Sequence, residues 1–247
     1  MRGAKLVRER RFTDAAALSD VLAVDLHQWL AQALRERGAA SIVVSGGRTP
    51  LLLFRRLRHA TLDWSKVFVT LADERWVDPA DPASNEGLLR TELLRDAAAG
   101  ARFLPLKNAA PTPQQGAAET WALLAQVPRP FDVVLLGMGD DGHTASLFPG
   151  SPGVLESLDP QAAPACVGMS APVHPNARLS LNLAALAECR QLFVHIAGDS
   201  KWQVYQAALL AATRAEIGEI DLRGIAALPI SAALRLRRAN PRLYWSP

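Results

Sequence analysis

Four short polar stretches in this chain each follow an apolar, strand-like run. They are Ser45-Gly46-Gly47-Arg48-Thr49, Asp73-Glu74-Arg75-Trp76, Gly137-Met138-Gly139-Asp140-Asp141-Gly142-His143 and Gly198-Asp199-Ser200-Lys201. The first suits a phosphate. Glycines let backbone N–H groups approach an anion, a following helix favours negative charge, and Ser45 or Thr49 can donate a hydroxyl. A tight turn whose glycines serve only backbone geometry is the plainer alternative. Lys201, at the start of another helix after a strand, offers a point charge to the same anion. In the third stretch, Asp141 and His143 set a carboxylate and an imidazole two residues apart, with Gly142 to permit a bend. Imidazole suits proton transfer near neutrality, and a carboxylate beside it orients the ring and stabilises its charged form. The alternative is a structural histidine capping a helix. Asp73-Glu74-Arg75 reads as a carboxylate pair, a phosphate clamp or a buried ion-pair network, because charged residues are rarely buried without partners.

Other chemistries fit less well. Gly137-x-Gly139-x-x-Gly142 matches the dinucleotide fingerprint literally. However, Asp140 and Asp141 would project carboxylates where a pyrophosphate must sit. No strand about 20 residues on ends in an acid for a ribose, and Asp159 lies in a proline-flanked loop. A nucleotide cofactor is therefore not expected. Asp-x-His can bind a metal, but no further His or Cys completes a ligand set, so no metal is expected. There is no Gly-x-Ser-x-Gly elbow for a serine hydrolase. His27, His59, His174 and His195 lie on a helix, after a basic run, in a proline loop and inside a strand, and are weaker candidates than His143. Trp76, Trp121, Trp202 and Trp245 read as packing.

The elements that must position these residues alternate. Leu18, Leu22, Leu26, Trp29, Leu30 and Leu34 recur at helical spacing over residues 14–37, closed by Gly38. Strands are expected at 41–45, 67–71, 131–136, 165–169 and 192–197, with a short last one at 228–233 that Pro229 weakens. Helices are expected at 84–96, 114–126, 179–188 and 199–212, and proline-rich loops at 105–113 and 149–175. Strands alternating with helices, several of them continuously apolar, imply an α/β fold with a mainly parallel sheet and helices on both faces. One Rossmann-like three-layer domain over residues 1–247 is the expectation. In such a sheet, ligands bind beyond the carboxyl ends of the strands, so the four polar stretches share one rim.

Composition bounds the class. The chain has 247 residues, 49% hydrophobic and 21% charged, enough for a sizeable core and too apolar for disorder. No apolar run approaches the roughly 20 residues of a membrane span, so no membrane partner is expected. The charged N-terminus has no apolar region behind it to suggest a signal peptide. Two cysteines, Cys166 and Cys189, build no disulfide framework. Cys166 reads as a buried thiol, while Cys189, between Glu188 and Arg190, is harder to place. A cytoplasmic address follows. With 27 basic against 24 acidic residues, the net charge is only +3 and the bases are scattered. Arg55-Arg56-Leu57-Arg58 and Arg235-Leu236-Arg237-Arg238 read as solvated helix faces. Nucleic acid is not expected, and a small anionic substrate fits better.

Together these blocks resemble the 6-phosphogluconolactonase family. The resemblance rests on Ser45-Gly46-Gly47-Arg48-Thr49-Pro50, Asp73-Glu74-Arg75-Trp76-Val77, Ser84-Asn85, the stretch from Gly137 to Pro149, Arg178-Leu179-Ser180-Leu181-Asn182, and Gly198-x-x-Lys201, in that order. It implies hydrolysis of a sugar-phosphate lactone, 6-phospho-D-glucono-1,5-lactone, to 6-phospho-D-gluconate without metal or cofactor, by a monomer or small homo-oligomer. His143 and Asp141 become the catalytic pair. Ser45, Gly46, Gly47, Asp73, Arg75, Arg178 and Lys201 become the substrate-binding set. Glucosamine-6-phosphate deaminases share the Gly-Gly loop, the Asp-Glu pair and the Asp-Gly-His, but their histidine block runs on into Asn-Glu-Pro. This chain reads Ser146-Leu147-Phe148-Pro149, with no acid there, and has Arg75 where the deaminases carry a Tyr-like aromatic. Both departures favour the lactonase. Glu86-Gly87 after Ser84-Asn85 is looser than the family pattern. A non-catalytic sugar-phosphate sensor is the third reading, which the intact Asp141/His143 pair argues against.

Overall fold

The computed structural model describes residues 6–217 and 222–247. The first five residues of the charged N-terminal segment lie outside them. The strands are β1 (Arg8–Arg11), β2 (Ala40–Val44), β3 (Val67–Leu71), β4 (Asp73–Arg75), β5 (Arg102–Phe103), β6 (Phe131–Leu136), β7 (Cys166–Ser170), β8 (Ala177–Leu181), β9 (Cys189–Ala197) and β10 (Arg242–Ser246). The helices are α1 (Ala15–Arg37), α2 (Leu51–Leu57), α3 (Asn85–Glu92), α4 (Pro113–Leu123), α5 (Val154–Ser157), α6 (Leu183–Ala187), α7 (Asp199–Ile217), α8 (Leu222–Ala227) and α9 (Ile230–Leu234).

Seven strands form one sheet in the order β1-β10-β9-β6-β2-β3-β5, and every pairing within it is parallel. β2 and β6 are buried at every position, which requires cover on both faces and explains sequences that are apolar except for Ser41 and Asp132, which bond to each other. The helices supply that cover. In α1, Asp14 accepts the Ala17 N–H at 2.8 Å as N-cap, and Gly38 at φ +73° closes the last turn onto the Leu34 carbonyl. Between these caps, Leu18, Leu22, Leu26 and Leu30 form one fully buried stripe. From β2 the strand order runs one way through β3 to β5, and the other way through β6 and β9 to β10. The β2/β6 boundary is thus the crevice where such a sheet takes a ligand.

Several expectations need correcting. The 179–188 segment is a strand first and a helix second: β8 runs to Leu181, Asn182 caps, and α6 follows. β8 sits at the centre of a second, antiparallel sheet, β4-β8-β7. The expected strand at 165–169 belongs to that sheet as β7 rather than to the parallel one. The 149–175 tract is not all loop, because it holds α5 and β7. Residues 228–233 are not a strand: Pro229 precedes α9, whose first turns use the fixed proline φ that a ladder cannot. The closing strand is β10 instead, flanked by β9 and β1. Cys166 and Cys189 are free and buried, and burial pushes both thiols up to about 12. Trp76, Trp121, Trp202 and Trp245 pack against the core, as expected. Among the described residues no helix is long and apolar enough to cross a membrane.

Candidate active site

The carboxyl ends of β2, β6 and β9 open into a cavity of about 180 Å³. Its wall includes Ser45, Gly46, Gly47, Asp73, Arg75, His143 and Lys201, so seven of the nine expected site residues meet there. Asp141 and Arg178 do not line it, and each acts on a residue that does.

The Asp141–His143 pair forms as expected. Asp141 Oδ1 lies 2.6 Å from His143 Nδ1 and also accepts the His143 backbone N–H at 3.0 Å. Burial works against the Asp141 charge, but these bonds from His143 outweigh it and hold the carboxyl below its ordinary value. With Nδ1 engaged, Nε2 is the ring nitrogen left for a reaction. The Phe148 ring packs on the imidazole with centroids 4.4 Å apart and limits its rotation. The His143 and Asp141 side chains are 31% and 45% exposed, so water reaches the pair. Asp140 is tied to α7 by the Ser200 hydroxyl at 2.9 Å, which links this loop to the element carrying Lys201.

The glycines of this loop have a structural purpose that explains the false dinucleotide fingerprint. A Cβ on Gly139 would overlap the His143 ring and approach Asp141 Oδ1 to 2.7 Å. Gly142 turns the chain at φ +78°, where a Cβ would also meet Leu228 at 2.6 Å. Glycine is thus demanded by the imidazole and the turn.

The Asp73-Glu74-Arg75 stretch resolves into three separate roles, and it is strand β4 rather than a loop at the end of β3. Asp73 faces the cavity and accepts the Ser146 hydroxyl at 2.6 Å. Glu74 turns away and caps α3, accepting the N–H groups of Asn85 and Glu86 at 2.7 Å each and the Ser84 hydroxyl at 3.2 Å. Burial pushes the Glu74 carboxyl above its ordinary value, against the pull of those N–H groups. Arg75 donates Nη1 to the Ala83 carbonyl. Arg178, on β8, is its partner in the ladder. Burial, and then the like charge of Arg75, lower the Arg178 pKa.

Three buried donors here have no partner in the protein: Ser45 Oγ, Arg75 Nε and Arg178 Nε. Native structures rarely leave such groups orphaned. Two of the three belong to residues that line the cavity, Ser45 and Arg75, and a hydroxyl and a guanidinium beside Lys201 suit an anion. Gly47, at φ +92°, bends the Ser45 loop, and Gly46 leaves room for Asn85, whose side chain a Cβ there would overlap.

The wall also holds polar residues outside the expected set, among them Arg48, Asn85 and His195. Asn85 packs over Gly46 and donates to the Asp73 carbonyl at 2.9 Å. Its place one residue after the helix-capping Ser84 was the available signal. His195, on β9, enters the cavity wall although a strand interior is ordinarily core. A lone polar residue in the run Leu192-Phe193-Val194-His195-Ile196 was the signal there. Among the described residues, no group of three or more His, Cys, Asp or Glu side chains could hold a metal ion.

Residues 13–237 match the family model described as glucosamine-6-phosphate isomerases/6-phosphogluconolactonase. The chain is similar to the 6-phosphogluconolactonase of Rhizobium meliloti, 43% identical over 96% of this chain and 97% of that one. It is 46% identical to that of Pseudomonas aeruginosa, over 94% of this chain and 92% of its relative. Its fold superposes on the crystal structure of a 6-phosphogluconolactonase from Shewanella baltica with a TM-score of 0.88, at 41% identity, covering 98% of each chain.

Proposed function

The chain belongs to the family of glucosamine-6-phosphate isomerases and 6-phosphogluconolactonases, and from that premise we propose that it hydrolyses 6-phospho-D-glucono-1,5-lactone to 6-phospho-D-gluconate, the second step of the oxidative pentose phosphate pathway. The observation that carries this reading is the Asp141–His143 pair, 2.6 Å apart, whose imidazole opens on a cavity lined by Ser45, Arg75 and Lys201.

The substrate needs a grip on its 6-phosphate and a water aimed at its lactone carbonyl. The Ser45-Gly46-Gly47 loop and Lys201 hold the phosphate, and Arg178 stands behind Arg75 as its ladder partner. His143 Nε2 takes a proton from water as the oxygen attacks C1, while Asp141 fixes the Nδ1 tautomer and steadies the imidazolium that forms. The tetrahedral intermediate carries its charge on the former carbonyl oxygen. The loop N–H groups of Gly139 and Gly142 are already spent on the His143 and Gly139 carbonyls. Arg75, whose guanidinium-bearing side chain lines the cavity, is assigned as the donor to that oxygen. When the C1–ring oxygen bond breaks, His143 returns its proton to the departing oxygen, giving the open-chain carboxylic acid, which loses its proton to solvent near neutral pH. A lactone is an activated ester, so an oriented water and a general base suffice without a metal.

The test is direct. Lactone generated in situ should disappear faster with the wild-type protein than by its spontaneous decay, and glucosamine 6-phosphate should release no ammonia. Ammonia release would move the assignment to the deaminase branch. Binding of 6-phosphogluconate without accelerated hydrolysis would mark a sensor.

A further inference from the structure

His195 lines the cavity and takes no part in the steps above. It is only 4% exposed, and its Nδ1 is shut off from solvent with no hydrogen-bond partner. Nε2 is not among the shut-off atoms, so it is the ring nitrogen that can meet a ligand in the cavity. β9 pairs with β6 through Val194 and Leu136. His195 is thus the next residue along, level with the start of the His143 loop at Gly137. Gly198 and Lys201 follow a few residues later on the same chain. His195 and Lys201 both line the cavity, and the lysine is near enough for its charge to act on the imidazole.

We propose that His195 is a substrate-binding residue that donates a hydrogen bond to the phosphate monoester held by Lys201 and the Ser45 loop, and so favours phosphorylated over unphosphorylated lactones. Packing alone would be met better by another aliphatic residue, since its neighbours Phe193, Val194 and Ile196 are fully buried and apolar. Burial, and then the nearby Lys201 charge, lower the His195 pKa to about 4. Near neutral pH the ring is therefore neutral, with one N–H to donate and one lone pair. It adds no second cation to repel Lys201, yet supplies a directed donor to an anion that Lys201 attracts. Lys201 provides charge without direction, and His195 provides direction without charge.

This inference rests on the sugar-phosphate reading of the cavity, and the experiment separates the two. Kinetics with 6-phosphogluconolactone and with unphosphorylated gluconolactone would be compared for wild type, His195→Phe and His195→Gln, alongside 6-phosphogluconate binding. Loss of a hydrogen bond to a charged group predicts that His195→Phe raises KM and the 6-phosphogluconate Kd about tenfold or more, with kcat little changed. His195→Gln, which keeps an N–H donor, should recover much of that loss. The unphosphorylated lactone should not distinguish the variants. Unchanged KM in His195→Phe, or equal losses for both lactones, overturns the proposal. Should His195→Phe not fold, the imidazole nitrogens of the wild type, followed by NMR, should shift when 6-phosphogluconate is added; a silent ring overturns it equally. A wild type that neither hydrolyses the lactone nor binds 6-phosphogluconate would defeat the functional reading itself.

Discussion

Gly139→Ala isolates the geometry of the Asp141–His143 pair from its chemistry. The substitution leaves Asp141 and His143 in place, and Gly139 is not among the glycines held at positive φ, so an alanine backbone is allowed. The methyl group meets the imidazole itself, together with Asp141 Oδ1 at 2.7 Å. Ordinary contact needs about 3.4 Å or more, so either the ring or the loop must move by roughly 1 Å, and Phe148, packed on the ring, resists the shift. A displacement of about 1 Å in a catalytic group costs on the order of 10²-fold in rate. That lies within the ~10²- to 10⁴-fold that a general base contributes in all. The expected result is a kcat lowered about 10²-fold. KM should stay within a few-fold of wild type, because the phosphate grip is on other elements. Steady-state hydrolysis of lactone generated in situ, corrected for spontaneous decay, reads both parameters. A kcat within threefold of wild type would refute the claim that this glycine exists to seat the histidine.

Three more variants probe other parts of the structure. Lys201→Ala should raise KM for the phosphorylated lactone with a smaller effect on kcat, because its charge is remote from C1; a loss confined to kcat would mean that the grip is realised only in the transition state. Glu74→Ala leaves the N–H groups that the carboxylate caps without a partner. At ~1 to 3 kcal/mol for each orphaned group, chemical denaturation should show a loss of about 3 kcal/mol, and an unchanged midpoint would contradict the capping role. His195 titrates near 4 when folded, against an ordinary value of 6.5. The unfolded chain therefore binds the proton more readily, and stability is full above the unfolded value and falls as pH drops through the window from 6.5 to about 4. At about 1.36 kcal/mol per unit the loss is about 3 kcal/mol, and His195→Gln should flatten that part of the stability–pH profile. Parallel profiles for the two proteins would rule this out.

Much of this site was legible because its residues come directly after apolar strands whose composition leaves little choice. β2, β3 and β6 are continuous runs rich in Val, Ile and Leu, and the residues after them must lie on the rim of a parallel sheet. The Asp141-Gly142-His143 spacing announced its own contact. The second sheet was harder. β4 is three charged residues long, and Leu179, Leu181, Leu183 and Leu186 satisfy a helical and a strand period about equally over so short a span. Only the pairing of β8 with β4 and β7 decides between them. Glu74 was ambiguous because its partners, the backbone N–H groups of Asn85 and Glu86, are invisible in a string of side chains. The glycines at 139 and 142 matched a nucleotide motif for the same reason: the pattern records where a side chain is forbidden, and not what forbids it. β1 and β10 escaped notice because Arg8–Arg11 is wholly charged, and Arg242–Ser246 comes after a proline and just before the last residue. Neither resembles a strand until the open edge of β9 receives them.

The most direct test of the account is lactone hydrolysis by wild type and His143→Ala side by side, with 6-phosphogluconate affinity measured on the same preparations. The wild type should accelerate the reaction. His143→Ala should lose about 10²- to 10⁴-fold in kcat while binding 6-phosphogluconate as before, since the proposed phosphate grip, the Ser45 loop and Lys201, is untouched. Turnover in His143→Ala equal to that of wild type would show that the imidazole beside Asp141 is not the base.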